Sequence, residues 1–262
     1  MAPFRHGLSS CLAAATILAA TLVAVIPMSP AADDDQAQSI CVADLNSHTH
    51  VNGYPCRNPR RATGEDFVYR KVRDPGDTTH SYFGSHIQNV FAMEWPALNT
   101  MDMAWARIDF APNGLHIPHW HPRANELLHC EEGTLLIGFV DESTNRLFSS
   151  IVEVGDLHVF PRGVIHFQLN VGPGPARAQT AYNSQNPALA EVGPSTFGSH
   201  PTIGDNVLRK AFDLSEESVL HLKKFFSDEQ METVFGVLSE HFGSSDSSFD
   251  SMWNSSFPRS VT

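Results

Sequence analysis

His119 and His121 stand one residue apart in a proline-bounded extended segment, Leu115-His116-Ile117-Pro118-His119-Trp120-His121-Pro122. Side chains alternate along an extended chain, so the two imidazoles face one way and Trp120 the other. Glu126 follows after a bend set up by Pro122, and Gly133 marks the turn into the next apolar run. A second stretch, from Gly155 through Pro161 and Gly163 to Asn170, carries His166 on an alternating run. There Val164, His166 and Gln168 share one face and Ile165, Phe167 and Leu169 the other. Three neutral imidazoles and one carboxylate make a nitrogen–oxygen donor set without a thiolate. Such a set suits manganese or iron, tolerates zinc and disfavours cluster chemistry. These side chains come from separate strands, so the strands must share one interior if they are to meet.

The rest of the chain reads as such a fold. Strand-like runs recur at Met101–Phe110, Ile117–His121, Glu126–Cys130, Thr134–Val140, Arg146–Val154, Leu157–Phe160, Val164–Val171 and Ala176–Asn183. Turn signals separate them, notably Asp141-Glu142-Ser143-Thr144-Asn145 and Gly172-Pro173-Gly174-Pro175. Many short, evenly spaced strands indicate an antiparallel sandwich or barrel. Before them lies a stretch of turn formers, including Asn58-Pro59 and Asp74-Pro75-Gly76-Asp77. Helical periodicity appears only near the C-terminus. Ser215 reads as an N-cap ahead of Glu216 and Glu217, and Ser227 with Gln230 as a capping box. Residues 243–262 are rich in Ser, Asp and Gly and read as disordered, with the single glycosylation sequon at Asn254-Ser255-Ser256.

Arg5, the apolar run Leu8–Ile26 and the small residues up to Ala32 have the order of a secretory signal peptide, with cleavage near Ala31 or Ala32. The same run is long enough for a retained anchor, but nothing after it has the apolar length to span a bilayer. A formal charge of −12 argues against an electrostatic nucleic-acid binder. Cys11 leaves with the leader. Cys41 and Cys56, on either side of the turn signal Asn52-Gly53, are placed to close a small loop in an oxidising compartment. Cys130 alternates within a strand and reads as a small buried hydrophobe. His48, His50, His80, His86, His200, His221 and His241 read as ordinary surface or core residues, and His129 and His158 as structural ones.

Together the two stretches resemble the cupin superfamily, and within it the germins and germin-like proteins of plants. The second cupin motif, Gly-x5-Pro-x-Gly-x2-His-x3-Asn, is met by Gly155, Pro161, Gly163, His166 and Asn170. The first, His-x-His-x4-Glu-x6-Gly, is met by His119, His121, Glu126 and Gly133, with its leading glycine displaced by one position to Gly114. Germin-like wording extends through Cys41-Val42-Ala43-Asp44-Leu45, Asn99-Thr100, Arg107-Ile108-Asp109-Phe110-Ala111-Pro112, His121-Pro122-Arg123-Ala124, Ser184-Gln185-Asn186-Pro187 and Phe197-Gly198-Ser199.

The resemblance implies an all-β fold: a cupin jelly-roll β-barrel with a disulfide-closed N-terminal segment and C-terminal helices. Its divisions are a signal peptide over 1–32, the disulfide segment over 33–66, the barrel over 67–200, helices over 201–242 and the tail over 243–262. It also implies a Cys41–Cys56 disulfide, manganese held by His119, His121, Glu126 and His166, a homohexamer, and secretion to the apoplast or cell wall. His116, Ala106 and Asn170 are candidates for the surroundings of the metal. Two family activities fit a small anionic substrate, superoxide dismutation and oxalate oxidation; a non-catalytic wall protein with a structural metal is the alternative. In oxalate-oxidising germins one asparagine precedes the strand arginine and another stands three residues before the first ligand histidine. The matching positions here are Ala106 and His116. Each lost hydrogen bond to a charged substrate costs on the order of 1.5–3 kcal/mol, so the resemblance favours superoxide over oxalate.

Overall fold

Alternation along the strands becomes two facing antiparallel sheets in the computed structural model, which describes residues 39–49, 53–79 and 81–227. The strands are β1 (Ser85–Val90), β2 (Ala104–Phe110), β3 (Leu115–Trp120), β4 (Glu126–Glu132) and β5 (Thr134–Asp141). They continue as β6 (Arg146–Glu153), β7 (Leu157–Phe160), β8 (Ile165–Asn170), β9 (Ala176–Tyr182) and β10 (Ala190–Glu191). One sheet has the order β1-β2-β9-β4-β7 and the other β10-β3-β8-β5-β6. The jelly roll is thus a pair of five-stranded sheets, not one ladder closed on itself. Between them lie Ile108 and Phe110 of β2, Leu128 and Cys130 of β4, Leu135 and Ile137 of β5, and Phe160 of β7. Each such side chain contributes roughly 1.5–3 kcal/mol by leaving water.

β1 and β10 lie outside the runs expected from sequence. β1 reads Ser-His-Ile-Gln-Asn-Val and is an edge strand whose middle is only half-buried, so it carries no apolar alternation. β10 is two residues long and exists only because it pairs with Trp120 and His119. Among the described residues three α-helices follow: α1 (Val192–Phe197), α2 (Asp205–Phe212) and α3 (Glu216–Phe225). The start of α3 is as expected, with the Ser215 hydroxyl accepting from the Ser218 N–H at 3.0 Å. α1 lies outside the expected helices, having no side-chain N-cap and containing Pro194, whereas α2 falls within the helical segment expected over 201–242, although no side-chain N-cap marks its start. The leader, the helix start at Ser227-Gln230, and the tail with its sequon fall largely or wholly outside the described residues. Among the described residues no helix is long and apolar enough to cross a membrane.

Cys41 and Cys56 are joined, and the short pairing of Ala43 with Cys56 extends the link into the backbone. Buried Asn99 fixes this segment to the connection ahead of β2. Its amide donates to the Tyr54 carbonyl at 2.8 Å and its oxygen accepts from the Tyr54 N–H at 3.2 Å. Cys130 is a buried free thiol whose pKa burial pushes up, which keeps it unreactive. Peptide mapping without reduction should therefore recover a Cys41–Cys56 pair, and replacing both by serine should cost roughly 3 kcal/mol of stability. A peptide linking Cys130 to either would overturn this assignment.

The face of Val219, Leu220, Leu222 and Phe226, which from sequence is consistent with burial against another subunit, is partly used within the chain: Val219 is fully buried, and Phe226 stacks on Phe197 of α1 at 6.3 Å. Of that face only Leu220 remains strongly exposed.

Candidate metal centre

The second sheet supplies two of the four residues, the connection after β3 a third, and the first sheet the fourth. His119 on β3 lies directly across from His166 on β8. His121 follows the end of β3, and Glu126 opens β4 in the opposite sheet, across from Tyr182 of β9 and Phe160 of β7. The four side chains are buried, and their ligand atoms lie within 4.8 Å of one another. A bulge between His116 and His119 in the β3–β8 pairing breaks the simple alternation. As a result His116 also turns inward, its ring stacked on His119 at 3.8 Å.

Hydrogen bonds fix which nitrogen of each ring is free. His119 Nδ1 lies 2.8 Å from the Ile117 carbonyl, and His166 Nδ1 lies 2.9 Å from the Val164 carbonyl. His121 Nδ1 bonds the Ala188 carbonyl. A carbonyl only accepts, so each Nδ1 carries the proton and each Nε2 presents a lone pair. Nε2 of His119 and of His121 have no hydrogen-bond partner, nor does Glu126 Oε1. His121 Nε2 and His166 Nε2 nevertheless approach Glu126 Oε2 to 3.0 and 3.1 Å. Lone pairs converging on a carboxylate repel unless a cation lies among them, so the donor set fits a metal ion.

The charge states agree with this geometry. Burial pushes the His119 imidazole well below its usual range, and the neighbouring His116, His166 and His121 push it further. Burial alone would raise the Glu126 carboxyl, and only positive charge at His121 and His166 brings it down, to about 2; with both rings neutral, a bound cation has to supply that charge. His116, pushed down to about 3 chiefly by burial, is neutral.

Around the four residues the structure adds partners that local sequence did not reveal. Phe160 stacks on His166 at 4.4 Å and Tyr182 meets His121 at 4.8 Å. Tyr182 OH accepts from the Thr180 hydroxyl at 2.8 Å. Strand register places these residues, and no motif announces it. Gln168, one alternation beyond His166, is fully buried and paired across the strands with His116. Ala106 is fully buried in a small cluster with Ala104, Ala124 and Tyr182. Asn170 spends its amide at the strand end, donating to Ala111 and Gly174 carbonyls at 2.9 and 2.8 Å. It serves the turn there, and these bonds do not reach the four-residue cluster.

This fold and donor set define a cupin, and residues 71–220 match the Cupin family. Germin-like protein 8-12 of Oryza sativa subsp. japonica is 45% identical over 195 residues, covering 74% of this chain and 87% of that protein. Germin-like protein subfamily 2 member 1 of Arabidopsis thaliana is 42% identical over 199 residues, covering 76% and 90%. Among solved structures, a recombinant oxalate oxidase in complex with glycolate is 38% identical with a TM-score of 0.72, covering 74% of this chain and 98% of that one. The chain belongs to the germin-like proteins of the cupin family.

Proposed function

We propose that this chain is a secreted germin-like protein that binds manganese through His119, His121, Glu126 and His166 and dismutates superoxide to hydrogen peroxide outside the cell. The observation that carries the choice of reaction is Ala106, fully buried beside Tyr182 and without any side-chain donor. Oxalate needs directed hydrogen bonds at both carboxylates, and this position offers none; superoxide is a single small anion. Three neutral imidazoles and one carboxylate leave a divalent ion's site net positive, which favours small anions. Manganese, when bound, supplies a one-electron couple. The chain's own contribution is to hold three Nε2 lone pairs and one ionised carboxylate at a common point, each ring fixed through its Nδ1 bond. Phe160, Tyr182 and the facing sheets keep bulk water from the centre.

Oxalate oxidation is the second reading, supported by the 38% identity to an oxalate oxidase over nearly all of that enzyme. Secretion rests on the leader-like N-terminus and the Cys41–Cys56 disulfide. Assembly is read as a homo-oligomer, hexameric by resemblance to germins; light scattering at micromolar concentration checks it, and a monomer would contradict it. The proposed reaction is tested by the dismutase activity of purified secreted protein, which should resist cyanide and vanish on metal stripping. A protein that keeps its metal yet fails to turn over would be a binder instead.

A further inference from the structure

The three imidazoles are not held alike. His119 and His166 bond carbonyls two residues earlier in their own strands, Ile117 and Val164, so strand geometry alone orients them. His121 lies past the end of β3 and has no such local acceptor. It bonds Ala188, from the loop after β9. That carbonyl is presented by an alanine at φ 55°, a left-handed conformation that costs a non-glycine residue on the order of 1 kcal/mol and has to be held by its surroundings.

What holds it is visible. Arg123 Nε donates to the Asn186 carbonyl at 2.7 Å, and its terminal nitrogen donates to Asn186 Oδ1 at 2.9 Å. The Arg123 backbone N–H bonds the Pro187 carbonyl at 3.2 Å. Asn186 Oδ1 also accepts from the Ala188 N–H at 3.3 Å. A continuous path of bonds thus runs from Arg123 through Asn186 and Ala188 to the His121 ring. It joins the two segments His121-Pro122-Arg123-Ala124 and Ser184-Gln185-Asn186-Pro187.

We infer that Arg123 and Asn186 are positioning residues for His121, acting through the Ala188 carbonyl to aim its Nε2 at the metal. The inference rests on the metal reading proposed above. It predicts an effect on metal affinity out of proportion to any effect on folding, because the metal-free chain keeps its other two rings aligned without this loop. Loss of partners that orient a metal-ligating histidine weakens binding by about 10–100-fold.

The test uses the full-length secreted protein, stripped and then titrated with Mn(II), following free Mn(II) by electron paramagnetic resonance. Thermal unfolding of the metal-free protein is recorded beside it. Arg123→Ala should weaken Mn(II) binding by about 10–100-fold. Arg177→Ala, which removes an ion pair to Glu131 elsewhere in the sheet, should leave affinity unchanged. Asn186→Asp keeps the acceptor oxygen and should retain affinity; Asn186→Leu should lose it, and this pair decides the matter if Arg123→Ala does not fold. Wild-type affinity in Arg123→Ala or Asn186→Leu would overturn the inference, as would a loss in Arg177→Ala equal to that in Arg123→Ala. A wild-type protein without Mn(II) affinity would sink the metal reading itself, a separate outcome.

Discussion

Replacing His121 by alanine should abolish stoichiometric manganese and all dismutase activity while the jelly roll still folds. The ring supplies one of three Nε2 lone pairs at the centre, and it is the one whose neighbouring loop is built to orient it. Its removal leaves His119 and His166 side by side on one sheet with Glu126 opposite, an incomplete set. The cost to folding is bounded. The Ala188 carbonyl loses its partner, at about 1–3 kcal/mol, against a typical domain stability of about 5–15 kcal/mol. The apolar interior of Ile108, Phe110, Leu128, Leu135 and Ile137 is untouched. Metal content by mass spectrometry and circular dichroism on the same sample check both halves. Full occupancy in the variant would remove His121 from the ligand set.

The second large effect concerns substrate choice. The double change Ala106→Asn with His116→Asn should raise oxalate turnover and leave dismutation largely intact, because none of the four candidate ligands is altered. Two regained bonds to a charged substrate, each on the order of 1.5–3 kcal/mol, correspond to at least tenfold apiece at about 1.36 kcal/mol per decade. Ala106 sits in a tight cluster, so the larger side chain costs about 1–3 kcal/mol in overpacking. The net gain is therefore smaller than the bonds alone suggest. No gain in oxalate turnover from a folded, manganese-loaded double variant would mean that these two positions do not govern the substrate.

Much of the centre is legible in the sequence because period-two alternation is a local property. His119 with His121, and Val164 with His166 and Gln168, can be assigned to faces without knowing any pairing. What alternation could not show is where it breaks: the bulge that turns His116 inward beside His119 depends on the register of β3 against β8. Tyr182 was missed for a related reason, since it reaches His121 only because β9 pairs with β4 at Glu126. Edge strand β1 and the two-residue β10 owe their existence to neighbours, and α1 has no side-chain cap to announce it. Ala188 shows the limit most plainly: nothing in an alanine announces a left-handed turn whose carbonyl orients a ring 67 residues away.

The central claim is that four side chains hold one manganese ion that turns over superoxide. Its most direct test is a single preparation of the secreted wild-type protein, assayed for metal by mass spectrometry and for superoxide and oxalate turnover together. The account predicts one manganese per chain, cyanide-resistant dismutation lost on stripping and regained on reloading, and little oxalate turnover. A metal-free protein, or efficient oxalate oxidation with no dismutation, would contradict it.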